Sequence, residues 1–193
     1  KNFFGLFLAY IIYTGKYFFC YCTKCNHFNH VISEALKHKV NLETSSSFDI
    51  DLILNLYKNK QLDKNRTIVH NGYKTDDYIR KIVELISLGF KNSIVVLDSV
   101  NEISRLISAA KGQKIKIGIR MAIDEEPQSA YYTSRLGIRH TELIDFFVNN
   151  VKGNENVELK MFHFFVDSGI KDTLYYWGEF QKALKLYIEL QKQ

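Results

Sequence analysis

The chain has 193 residues, 26 Lys plus Arg against 21 Asp plus Glu, one Pro and three Cys. The net charge of +5 is spread along the chain without a Lys/Arg block, so no nucleic-acid partner is expected, because such a footprint clusters on one element. A hydrophobic content of 46% excludes a disordered chain, and the single proline excludes Pro-rich linkers and collagen-like repeats.

The N-terminal run from Asn2 to Tyr13 is apolar and stops at Thr14-Gly15-Lys16. A membrane-spanning helix needs about 18 such residues, and no small-residue cleavage site follows. Residues 1–15 are therefore expected as a leading buried helix, with no membrane partner. The chain opens on Lys1 rather than Met, and both ends are expected to be cut from a longer protein. Cys20, Cys22 and Cys25 form an odd, tight cluster rather than a disulfide framework, which predicts a reducing, cytoplasmic compartment.

From there β-branched or aromatic runs alternate with amphipathic stretches. Strands are predicted at 17–23, 40–43, 67–70, 93–97, 115–120 and 157–165. Helices are predicted at 27–38, 48–57, 76–88, 100–110, 140–151 and 173–190 from apolar residues at helical spacing. Thr75-Asp76-Asp77 opens one helix and Gly89 closes it. This order makes a parallel α/β protein, either doubly wound or a barrel. A dinucleotide-binding sheet would carry Gly-x-Gly-x-x-Gly after its first strand. The text there is Lys24-Cys25-Asn26-His27-Phe28-Asn29, without glycine, which favours the barrel. A complete (β/α)8 TIM-type barrel has eight strands in about 250 residues. The expectation for residues 16–193 is an incomplete barrel with six of eight strands.

Barrel chemistry collects at the C-terminal strand ends. Those positions hold Lys24, Glu43, His70-Asn71, Asp98, Arg120 and the stretch from His163 to Ser168. Strand alternation puts Phe18, Cys20, Cys22 and Lys24 on one face. A lysine desolvated there is a Schiff-base nucleophile; the competing account is a lysine reaching solvent from a strand end. The same parity sets Cys25 opposite Cys20 and Cys22, so core-filling thiols are expected rather than a metal site. The long connection 122–139 holds Asp124-Glu125-Glu126-Pro127, either a cation-binding loop or a solvated one.

The sequence around these positions resembles a known family. Tyr21-Cys22-Thr23-Lys24-Cys25-Asn26 is similar to the Tyr-x-x-Lys-x-Asn strand of fold-type III pyridoxal phosphate enzymes, the alanine-racemase-like barrels. Leu42-Glu43-Thr44-Ser45-Ser46 resembles their second strand. His70-Asn71-Gly72-Tyr73-Lys74-Thr75-Asp76-Asp77-Tyr78-Ile79-Arg80 is similar to a stretch of biosynthetic arginine decarboxylases. Ile117-Gly118-Ile119-Arg120 and Ser134-Arg135-Leu136-Gly137 fit the same pattern.

The resemblance implies decarboxylation of L-arginine to agmatine with pyridoxal 5'-phosphate, in polyamine (spermidine) synthesis. Diaminopimelate or ornithine decarboxylation, or a non-catalytic regulatory relative, are its alternatives. It implies Lys24 as the residue that carries the cofactor, Glu43 as a carboxylate near it and Arg120 as an orienting residue. The sixth strand departs from the pattern. Phe165 stands where the cofactor-stacking histidine is expected, His163 takes that role in a shifted register, and Ser168 keeps the phosphate-contacting hydroxyl. The resemblance also implies at least a homodimer, places a C-terminal β-domain outside this chain, and carries a magnesium requirement for which no ligand set is readable.

Overall fold

The computed structural model describes residues 15–124, 136–166 and 172–193. Residues 1–14 of the expected leading helix, residues 125–135 of the acidic loop, and Ser168 lie outside the described residues.

Among the described residues, one parallel sheet is built from β1 (Cys20–Cys22), β2 (Asn41–Thr44), β3 (Ile68–His70), β4 (Ser93–Leu97), β5 (Ile115–Ala122), β6 (Ile138–Arg139) and β7 (Val157–Phe164). The helices are α1 (Asn29–Lys37), α2 (Ser47–Lys58), α3 (Asp76–Ser87), α4 (Glu102–Ala110), α5 (Leu143–Asn150) and α6 (Thr173–Lys192). The strands pair in the order β1-β2-β3-β4-β5, and β7 pairs with β5. This sequential order has no reversal point, which distinguishes it from a doubly wound sheet. It matches a partial TIM-type barrel.

The sheet curls. β3 and β7 are three strand spacings apart, about 14 Å if the sheet were flat. Yet Asn71, just after β3, lies 3.5 Å from His163 on β7. The outer face packs on the helices through Leu42, Ile68, Val95, Leu97, Ile115, Ile117 and Ile119, against Ile32, Ile50, Ile53, Ile82, Leu85, Ile103 and Leu106. The inner face carries Glu43, Val96, Gly118, Arg120 and Met161, alternating with that set. A β-bulge interrupts the β5–β7 ladder. Ile117 pairs with Leu159 but Gly118 pairs with Met161, so Lys160 is extruded.

Two local differences from the sequence reading have clear causes. The first strand is only Cys20–Cys22, not 17–23: its pairing with β2 starts at Cys20 opposite Asn41, whose N–H donates to the Phe19 carbonyl at 2.9 Å. Tyr17, Phe18 and Phe19 are consequently exposed. β6 was not expected, since two residues show no periodicity. It lies beyond the end of β4, where Gly137 N–H donates to the Asp98 carbonyl at 2.8 Å. Gly137 has φ +113°, and a Cβ there would sit 2.6 Å from the Ala122 nitrogen.

Candidate functional site

The inner-face residues at the C-terminal strand ends converge into one polar row. Asn71 Nδ2 donates to Glu43 Oε1 at 3.2 Å and lies 3.5 Å from His163 Nε2. Cys22 Sγ lies 3.8 Å from the same Glu43 oxygen. Glu43, Asn71 and His163 thus come together from β2, the turn after β3, and β7, three segments far apart in sequence. Burial first, and then the Arg120 guanidinium, pull the His163 imidazole down to about 4, so it is neutral at physiological pH. Its Nδ1 is buried with no hydrogen-bond partner among the described residues. Burial and the Glu43 charge push the Cys20 and Cys22 thiols up to about 11, which leaves them protonated.

Arg120 pairs with His163 in the β5–β7 ladder, and its guanidinium reaches Asp98 Oδ1 at 3.4 Å. The ring of Phe165 lies 5.3 Å from the same guanidinium, a cation–π contact at the half-exposed rim. His163 and Phe165 therefore both face the mouth, with the imidazole deeper and the phenyl ring outside it.

Beneath Arg120 lies a charge network that pattern reading did not assign. Lys74, in the turn before α3, is fully buried, with Nζ 3.0 Å from Asp98 Oδ2 and 3.6 Å from Glu102 Oε2, and it donates to the Val96 carbonyl. Glu102, the first residue of α4, also accepts from the backbone N–H of Asp98 at 2.8 Å and of Lys74 at 3.3 Å. Burial pushes the Glu102 carboxyl above its usual range, opposed by the Lys74 charge. The sequence signal was the pair Asp98 and Glu102, one helical turn apart at a strand end, opposite a lysine in a short turn. Behind this layer, Thr44 Oγ1 bonds His70 Nδ1 at 2.8 Å and Tyr78 Oη at 2.7 Å, locking β2, β3 and α3 together.

Lys24 is placed differently from the alternation argument. The strand ends at Cys22, and Lys24 sits in a 3-10 turn, Thr23–Cys25, with an exposed side chain. It lines a cavity of about 480 Å³ with His27, Ser45, Ser46, Phe48, Asp49 and Leu52, at the rim between the turns after β1 and β2. The buried amine expected from parity is not found there. Asp124, at the start of the acidic loop, is held by Lys182 of α6, and its N–H donates to the buried Glu179 at 3.3 Å. Among the described residues no three His, Cys, Asp or Glu side chains converge on a possible metal position. The three cysteines there are free thiols, and no helix is long and apolar enough to cross a membrane.

The chain is similar to known proteins in sequence and fold. A biosynthetic arginine decarboxylase from Parasynechococcus marenigrum is 27% identical across 95% of this chain and 29% of that protein. One from Prochlorococcus marinus is also 27% identical, across 93% of this chain and 29% of that protein. The chain thus spans 29% of the length of these curated relatives. The crystal structure of the biosynthetic arginine decarboxylase of Campylobacter jejuni superposes with a TM-score of 0.75 at 24% identity, over 98% of this chain and 31% of that one. A diaminopimelate decarboxylase of Helicobacter pylori, complexed with L-lysine, superposes with a TM-score of 0.77 at 21% identity, over 97% of this chain and 48% of that one. At these identities the two structures establish a shared fold. The family described as "Pyridoxal-dependent decarboxylase, pyridoxal binding domain" matches residues 8–193, and the chain belongs to it.

Proposed function

We propose that this chain forms the cofactor-binding part of a pyridoxal-phosphate-dependent decarboxylase that converts L-arginine to agmatine, feeding spermidine synthesis in the cytoplasm. The observation that carries the reading is the convergence of Glu43, Asn71 and His163 at the barrel mouth, with a buried histidine nitrogen left unpartnered. A neutral ring beside a carboxylate, in a half-buried row at the mouth, fits a flat, nitrogen-containing aromatic cofactor. The named activity of the curated relatives, and the stretch from His70 to Arg80, support arginine as the substrate.

Pyridoxal phosphate, when bound, supplies an electron sink for the pair left on the substrate α-carbon as the carboxylate departs. The chain's residues do the rest. Lys24, on an exposed turn at the rim, would supply the amine that holds the cofactor. Glu43 offers a carboxylate that Asn71 holds in place. His163, neutral and half-buried, would provide the flat face expected of the stacking residue, with Phe165 at the rim above it. Arg120 orients these groups from the facing strand, and Ser168 contributes the phosphate-contacting hydroxyl. The free thiols support a reducing compartment.

The test uses the visible absorbance of the full-length enzyme that contains this chain, titrated with pyridoxal phosphate, followed by agmatine release. Lys24→Ala is expected to lose both, with an unchanged melting curve because the side chain is exposed. Undiminished decarboxylation in that variant would overturn the mechanism. Turnover of diaminopimelate in preference to arginine would overturn the substrate. Cofactor binding with no turnover of either would favour the regulatory relative, for which Phe165 in the histidine's gapless position is the motivating feature.

A further inference from the structure

Asn71 stands between the two groups assigned above to the cofactor, and its own orientation is over-determined. Its backbone N–H donates to the Thr44 carbonyl at 2.8 Å, fixing the turn. The Gly72 N–H donates to Asn71 Oδ1 at 2.9 Å, so the amide oxygen faces the chain and the amide nitrogen faces the mouth. Reversing the amide would set its oxygen against the Glu43 carboxylate and its nitrogen against the Gly72 N–H, losing both bonds. The two Nδ2 hydrogens therefore point to Glu43 Oε1 at 3.2 Å and His163 Nε2 at 3.5 Å.

That assignment has a chemical consequence. An amide nitrogen donates and cannot accept. The His163 Nε2 beside it must then present its lone pair, which leaves the single ring proton on Nδ1. We propose that Asn71 is a positioning residue that holds His163 as the neutral tautomer protonated at Nδ1, with Glu43 anchoring the other amide hydrogen. The charged groups that face the imidazole are Arg120, Lys74, Asp98 and, across the Asn71 amide, Glu43. Arg120 and Lys74 oppose a second proton, and Asp98, which would favour one, is already engaged by both of them. The buried Nδ1–H is the unspent donor of the row. The inference rests on the decarboxylase reading only for its consequence. An uncharged ring can stack on the cofactor without placing a positive charge against it, and its one open donor lies on the edge away from Asn71.

The test needs no turnover. Long-range proton–nitrogen correlation spectra of the intact protein labelled with ¹⁵N-histidine report which ring nitrogen carries hydrogen. His163→Gln identifies the His163 signals by their disappearance. Wild-type protein at neutral pH is expected to show His163 protonated at Nδ1 and bare at Nε2; a hydrogen on Nε2 overturns the proposal without any variant. Asn71→Asp keeps an oxygen for the Gly72 N–H but removes the donor. It is expected to move the His163 proton to Nε2, leave the His70 pattern unchanged, and weaken pyridoxal phosphate about five- to tenfold. A folded Asn71→Asp protein whose His163 stays protonated at Nδ1 also overturns it. Wild-type protein that shows the Nδ1 tautomer but binds no cofactor supports the role of Asn71 and refutes the decarboxylase reading.

Discussion

Replacing Lys74 by methionine tests the charge network beneath the mouth most directly. The side chains of Lys74, Asp98 and Glu102 are 1%, 1% and 3% exposed, so water can screen none of them. Two carboxylates are balanced by two cations, Lys74 and the partly covered Arg120. Methionine fills similar volume, so the change removes charge with little cavity. One buried carboxylate is left without a partner, which costs about 3–5 kcal/mol at neutral pH. For a chain of this length that is a fall in Tm of about 6–20 °C. The loss depends on pH with a definite sign. Burial already raises the Glu102 carboxyl above its unfolded value, and the Lys74 charge restrains that rise. Without Lys74 the folded-state value climbs further. An acid whose folded-state pKa is raised contributes stability at low pH and loses it as pH rises through that value. The gap between variant and wild type should therefore be small at pH 4, where the raised Glu102 carboxyl carries its proton, and widen towards pH 8. Urea melts followed by far-ultraviolet circular dichroism at the two ends of this range measure it. A difference below about 1 kcal/mol, or one equal at both pH values, would refute the reasoning.

Two further outcomes follow from the same layer. Gly72→Ala forces an L-residue to φ +77° and puts a Cβ 2.9 Å from the Ser45 carbonyl, whereas Gly112→Ala has φ +86° and open space. Urea melts should give about 1 kcal/mol for Gly112→Ala and about 2–3 kcal/mol for Gly72→Ala; equal losses would remove the Ser45 contact from the account. Burial holds His70 down to about 3 and His163 down to about 4, so the unfolded chain takes up these protons first as pH falls below about 6.5. Stability should fall with a slope approaching 1.4 kcal/mol per pH unit for each group, and His70→Gln should remove one proton's share of that slope between pH 6 and 4. An unchanged acid limb in His70→Gln would show that His70 is protonated in the folded protein.

Most of the architecture was legible because each strand is a short β-branched run between amphipathic helices. Ser93–Leu97 is bounded in the structure as the sequence reading has it. β5 runs two residues further than its β-branched pattern, to Ala122, because β6 and β7 both offer Met121 a partner. The rim was less legible. Lys24 was assigned to an interior face by counting alternate residues along a strand, but the strand ends two residues before it and the count has no meaning in a 3-10 turn. Lys74 appeared in the sequence as one letter of a motif. Its burial depends on Asp98 and Glu102, 24 and 28 residues away, and on a helix start that brings Glu102 under the turn. The Asn71–His163 contact spans 92 residues and exists only because the sheet curls, a property of strand twist that local patterns do not carry.

The extruded Lys160 has a reach beyond its own position. Leu159 packs towards the helices, and so do Phe162 and Phe164, so the inward and outward sets change places across the bulge. β7 is in effect written in two reading frames, with Lys160 as the inserted letter that shifts one into the other. Taking Lys160 into the ladder, instead of extruding it, would put the distal half of the strand in the frame of Leu159. Phe162 and Phe164 would then look into the mouth, and His163 would be turned towards the hydrophobic layer behind the sheet. The polar character of the mouth thus depends on Lys160 staying out of the ladder, and losing the residue altogether would close the bulge while leaving Met161 and His163 facing inward.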